Sequence, residues 1–230
     1  MSKKAELVTG YFPNIYLSVT SLLQGIALSQ LVPIILIYLR VVPNPWSDIH
    51  LLPLVIMMLI IFIVWHHYAI SIFFLRWFPN IIDTLVPFLI GIGQFVLLSY
   101  INIETQIEEI QMEPWTLGFA GFLIAGSFAY FLAAWRMEAE LFDNVMSKEA
   151  TLIHTQLTRR YYNIAGISIL GQGVFALLIG LMHWSYLLWA SLILLVSHLV
   201  IFEYFLLKSI KPHYVRAMDE YEANRDRNDG

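Results

Sequence analysis

Polar and ionisable residues inside long apolar stretches are the first place to look for chemistry. Each costs free energy in hydrocarbon unless it meets a partner or water. In this 230-residue sequence Gln24, His67, Gln94, Gln172 and His198 all lie in such stretches. Counted at about 1.5 Å per residue from the cytoplasmic end of each predicted span, they sit about 13 to 20 Å deep, in one layer near the midplane. Five segments contribute, so the layer reads either as an interhelical hydrogen-bond network or as the lining of a wet passage. A second pattern is Ser18, Ser21, Gly25 and Ser29, whose i, i+3, i+7, i+11 spacing puts them on one helix face, with Thr20 and Gln24 on a neighbouring strip. Such a small, weakly polar stripe suits a close-packing seam or the wall of an ion pathway.

The ionisable groups narrow the chemistry further. His66 and His67 follow Trp65, and adjacent helical residues point about 100° apart, so only one of them faces a given pore. Helical metal ligation needs i, i+3 or i+4 pairs, and none of the seven histidines offers that with a carboxylate, so no metal is expected. Glu203 lies about 7 Å from the inner end of its span, within snorkelling reach of Lys208 or the Lys211 region. The alternative is a carboxylate that binds a proton or cation. Glu104, Glu108, Glu109 and Glu113 lie in a stretch without a base, beside Ile103, Ile107 and Ile110 at helical spacing. They read as an amphipathic turn on the outer surface or as an acidic vestibule that concentrates cations. The sequence has no P-loop, no GxSxG, no HExxH, no CxxC and no paired in-membrane carboxylates, so no catalytic residue or cofactor is expected.

The elements that carry these residues follow from composition. The chain is 59% hydrophobic and 13% charged, against about 45–50% apolar and about 25% charged for a soluble domain. Runs free of charge cover 7–39, 49–75, 84–103, 114–135 and 161–202. The last, as one helix, would be about 63 Å long, twice a bilayer core, so it folds back at Gly180, His183, Trp184 and Ser185. The result is an all-α polytopic membrane protein with spans at about 14–39, 50–75, 81–103, 115–135, 163–182 and 185–207. They make one domain over 1–211, followed by a polar cytoplasmic tail at 212–230. Of thirteen Lys and Arg, twelve fall on one side in this scheme and only Arg40 on the other. Both termini are therefore expected in the cytoplasm and the chain in a cell membrane. Asn80 and Asp83 read as the N-cap and first-turn acid of span three. Gly118, Gly121, Ala125 and Ala129, with Gly166, Gly173 and Gly180, read as small-residue packing between spans four and five. The inner loop 136–162 reads as helix continuing from span four and then an interfacial segment with Leu152, Ile153 and Leu157 on its apolar side.

A polar-small first helix (Gln24-Gly25-Ile26-Ala27), a tryptophan in the outer loop (Trp46) and a second helix with Trp65-His66-His67 resemble the lysosomal and bacterial potassium channels built from six-helix units without a TVGYG filter. That family opens its first helix with Arg and Phe-Ser-Asp-Gly, where this chain has Leu22-Leu23-Gln24-Gly25. The resemblance implies a homo-oligomer with first helices around a central cation pore. Three functions are thereby expected to compete. One is an oligomeric cation channel or leak pathway lined by Ser18, Ser21, Gly25 and Ser29 and entered past the acidic loop. Another is a non-catalytic subunit that docks a cytoplasmic protein through 136–162. The third is a small proton-coupled carrier using His67, His198 and Glu203. The lipid bilayer is the expected surrounding, and no nucleic-acid partner is expected.

Overall fold

The computed structural model describes residues 3–74, 81–101, 111–137 and 148–216 with Asp219; side chains are described from Leu17 onward, apart from 72–74 and 81–84. The described residues are helical, with no strand among them. The helices are α1 (Lys3–Val41), α2 (Leu51–Phe74), α3 (Ile81–Ser99), α4 (Met112–Trp135), α5 (Lys148–Leu181) and α6 (Leu188–Phe205). Five of them are long and apolar enough to cross a membrane: α1, α2, α4, α5 and the α6 segment, while the described apolar part of α3 is the shorter Leu85–Ser99. These are the features of a helical membrane protein.

α4 and α5 form the closest pair. A Cβ added to Gly166 would meet Phe131 at 2.7 Å, one on Gly173 would meet Ile124 Cγ1 at 2.8 Å and its backbone N at 3.0 Å, and one on Gly180 would meet Leu117 at 2.7 Å. Three glycines spaced by seven thus let the backbones approach, as small residues do between helices in lipid. The buried positions of α5 include Thr151, Thr155, Thr158, Tyr162, Ala165 and Ile169, and then Gln172, Ala176 and Ile179. Their alternating spacing of four and three is the seam of a helix packed over its whole length.

That seam overrides local hydropathy at the N-terminal end of α5. Residues 148–162 do not form a separate interfacial segment; they are the first turns of α5. Leu152 is 54% exposed and Ile153 38%, while Thr151, His154, Thr155 and Thr158 are buried. The rigid helix continues the face fixed by Ala165, Ile169 and Gln172, so the threonines turn inward although leucine and isoleucine are the more apolar. His154 meets Tyr214 there, ring centroids 5.2 Å apart. With 34 residues, α5 is about 51 Å long against about 30 Å of hydrocarbon, leaving about 20 Å outside.

The hairpin between α5 and α6 is a Schellman turn. Trp184 N–H donates to the Ile179 carbonyl at 3.0 Å and His183 N–H to Gly180 at 3.3 Å, with His183 at φ 57° in the left-handed position usually held by glycine. Glu113 in the first turn of α4 reaches His183 Nδ1 at 3.2 Å and ties this turn to the start of α4. After α6 the chain makes a π-helical stretch, Leu206–Ile210, before resuming α-helix. Arg159 closes the other end of α4, its guanidinium donating to the Ala134 carbonyl at 3.2 Å and the Met137 carbonyl at 2.9 Å.

Between α1 and α2, Asp48 accepts from its neighbour's backbone, His50 N–H at 3.0 Å, and from the His50 ring at 2.8 Å. Burial opposes its ionisation, but these bonds and the nearby Tyr38 hydroxyl outweigh it and hold the carboxyl below the usual range. A folded pKa below the unfolded one stabilises above the unfolded value and loses that contribution as pH falls through the folded one. Asp48→Asn is therefore expected to lower the melting temperature at pH 7, and the difference from wild type should shrink below about pH 3.9, read by thermal unfolding in detergent. At the helix seam, Gly173→Ala should cost about 1–3 kcal/mol by overpacking. Gly121→Ala, whose added methyl meets nothing within 4 Å, should stay within about 0.5 kcal/mol.

Candidate functional site

The layer of polar residues expected near the midplane divides into two groups in space. In the first, Gln94 of α3 donates through Nε2 to Gln24 Oε1 of α1 at 2.9 Å, with both side chains buried. Trp65 of α2 adds a bond from Nε1 to Ser21 Oγ at 3.2 Å. This group fastens α1 to α2 and α3.

The second group lies where α2, α4, α5 and α6 meet. The His67 ring stands edge-on to Tyr130, centroids 5.3 Å apart, and lies 5.7 Å from His198 and 6.5 Å from Tyr161. His198 Nδ1 bonds Ser168 Oγ at 3.1 Å, and the same hydroxyl accepts from Gln172 Nε2 at 3.3 Å. Ser71 Oγ donates to the His67 carbonyl at 2.6 Å, which leaves the Tyr162 hydroxyl to donate to Ser71 Oγ, also at 2.6 Å. The Nε2 atoms of His67 and His198 and Gln172 Oε1 are buried without a hydrogen-bond partner. In a low-dielectric interior such orphaned atoms are costly, and they mark where a proton, a water or a ligand oxygen would fit.

Glu203 is not held by Lys208 or Lys211. Its Oε2 accepts from His66 Nε2 at 2.8 Å, while Lys208 Nζ lies 5.1 Å from the Tyr204 ring centroid. The reason is helical phase: α2 and α6 pack against each other, and His66, one residue from the inward His67, faces α6 at the level of Glu203. The His66 and His67 rings are 6.0 Å apart. Glu203, His66, His67 and His198 therefore form one file from the partly exposed α2–α6 boundary to the buried centre. The file contains a carboxylate and imidazoles, the groups that pass protons inside membranes.

Apart from Ser21, which bonds Trp65, the α1 stripe lies outside both groups. Ser18, Gly25 and Ser29 are exposed on the outside of the bundle, Ser21 is half-buried, and Ser29 Oγ donates to the Ile26 carbonyl of its own turn. A Cβ on Gly25 would meet nothing within 4 Å. Of the acidic loop, Glu113 pairs with His183 as described, while Glu104, Glu108 and Glu109 lie outside the described residues. So do Asn80, residues 138–147 of the expected docking segment and most of the tail beyond Arg216. Among the described residues no group of three His, Asp or Glu is placed to hold a metal.

Sequence reasoning missed Ser71, Tyr130, Tyr161, Tyr162 and Ser168 as members of the buried group. A signal existed for Ser168, four residues before Gln172 on the same face of α5. Tyr161 and Tyr162 read as an interface anchor because Arg159 and Arg160 precede them.

The Gln24–Gln94 bond is open to a double-mutant cycle. Gln24→Leu and Gln94→Leu should show a coupling of about 0.6 kcal/mol, and at most about 1.7, in detergent unfolding. Zero coupling would mean that the bond does not hold α1. No family model, no curated protein and no solved structure matches this chain.

Proposed function

We propose that this chain is a proton-linked membrane transport protein whose relay is Glu203, His66, His67 and His198. The observation that carries the reading is the file itself: 2.8 Å from Glu203 to His66, then ring-to-ring steps of 6.0 and 5.7 Å to His67 and His198. Ionisable groups are rare in membrane interiors and concentrate on proton and ion paths. The groups packed around the file are Tyr130 of α4 and Tyr161, Tyr162 and Ser168 of α5, which leave Glu203 as its one carboxylate among the described residues. In this reading α3 is the sixth span. Its 19 residues reach about 28 Å, close to the roughly 30 Å core. An even number of spans then keeps both termini and twelve of thirteen bases in the cytoplasm of a cell membrane.

A second reading has its own support. Only 22% of the α1 span is buried, the smallest share among the five, and its exposed face is the one that bears Ser18, Gly25 and Ser29. A homo-oligomer with these faces around a common axis would make a cation pathway, and that axis would cover the polar stripe.

Vesicles loaded with a pH dye separate the two. With purified protein and an outward potassium or sodium gradient, the proton-linked reading expects luminal pH to change. Glu203→Gln and the double variant His67→Gln, His198→Gln should each reduce the rate about tenfold or more, a loss of at least about 1.4 kcal/mol at the transition state. Cation flux that survives both variants but disappears in Gly25→Phe assigns transport to α1 instead. Protein that moves neither protons nor cations overturns both readings.

A further inference from the structure

Beside the buried group a crevice opens between α2, α3 and α4, enclosing about 1120 Å³ with its mouth included. The lining is graded along its length. Phe122 and Leu123 of α4, Ile60 and Ile63 of α2 and Ile90 of α3 make one end wholly apolar. One to two turns further along, His67 and Tyr130 enter the wall, and at the far end stand Tyr68, Ser71, Tyr162 and Arg136. A second guanidinium, that of Arg159, reaches the carbonyl of Met137, which lines the same end. From Phe122 to Arg136 the crevice follows fourteen positions of α4, about 20 Å, slightly more than the roughly 15 Å of one leaflet's hydrocarbon.

This order of charge, hydroxyl and hydrocarbon is the order of groups in a membrane lipid. We infer that the crevice binds an anionic phospholipid, its phosphate at Arg136, its glycerol ester region at His67 and one acyl chain along Phe122, Leu123 and Ile90. Phosphate suits a guanidinium because both present a planar or forked set of hydrogen-bonding atoms. Basic pockets between helices on the cytoplasmic side recognise anionic headgroups in the same way. His67 supplies the second, independent mark. It is 92% buried by its 8% exposure, lines the crevice, and its Nε2 lacks a partner. An ester carbonyl is the acceptor that an Nε2–H there requires. Gly126 keeps the groove open, since a Cβ on it would meet nothing within 4 Å. The site needs only that α2, α3 and α4 lie in a bilayer, and it stands whether or not the chain moves protons.

Native mass spectrometry of the full chain in mild detergent, titrated with phosphatidylglycerol or phosphatidylcholine of equal chain length, tests the site. Wild type should retain phosphatidylglycerol about tenfold more strongly, which corresponds to about 1.4 kcal/mol. Arg136→Gln should remove that preference by weakening phosphatidylglycerol more than phosphatidylcholine. Gly126→Leu, which fills the groove, should weaken both; Ala129→Val makes the same test one turn along if the leucine variant loses its helical signal. Equal retention of the two lipids by wild type, or phosphatidylglycerol binding unaffected by both groove-filling variants, overturns the proposal.

Discussion

α4 and α5 approach so closely at Gly173 that an added Cβ would meet the Ile124 backbone, and at Gly166 and Gly180 it would meet the Phe131 and Leu117 side chains; the buried polar group depends on that approach. Phe131, Ile124 and Leu117 occupy the space a Cβ would need. With the two backbones held this near, Tyr130 of α4 comes within 6.2 Å of Tyr162 of α5, ring to ring, and both line the wall that faces His67. A wider seam would move the tyrosines apart and admit lipid between them. In a bilayer, where apolar contact gains nothing over lipid tails, such shape-matched packing is the main force that holds helices together.

The two polar groups do different work because their hydrogen-bond accounts differ. Gln24 and Gln94 meet in a direct bond, and hydroxyls such as Ser29, Ser99, Thr116 and Ser127 return to carbonyls of their own helices. These bonds are made within the bundle, although Gln94 Oε1 is left buried without a partner. Around His67 and His198 the unmatched atoms gather: each ring keeps one buried nitrogen and Gln172 its oxygen without a partner. Buried polar atoms without partners cost stability in a low-dielectric interior.

The helices, the fold-back near Gly180 and the α5 glycines that admit α4 were legible because they rest on hydropathy, turn chemistry and spacing, all of which are local; the α4 glycines were expected at the same seam, but a Cβ on Gly118 would meet Leu97 and Tyr100 and one on Gly121 nothing within 4 Å. The relative level of His67 and His198 was legible too, since they were expected at one height and their rings lie 5.7 Å apart. Azimuth was not. A sequence states which residues share a helix face but not which neighbour that face meets, so Glu203 was matched with the lysines after it rather than with His66. The buried threonines of α5 show the same limit from the other side. Their orientation is inherited from contacts two and three turns away, where Ala165 and Ile169 are packed, and no window of local hydropathy contains that information.

The π-helical stretch after α6 gives the chain a register of its own. There the Lys211 N–H reaches back five residues to the Leu206 carbonyl instead of four, so one residue more than an α-helix requires is folded into a single turn. Everything beyond it is rotated by about 100° relative to an unbroken helix. Tyr214, which meets His154, lies beyond this stretch. The angular setting between the helix before this stretch and the helix after it thus resides in a single extra amino acid, and a one-codon deletion there would re-aim the end of the chain.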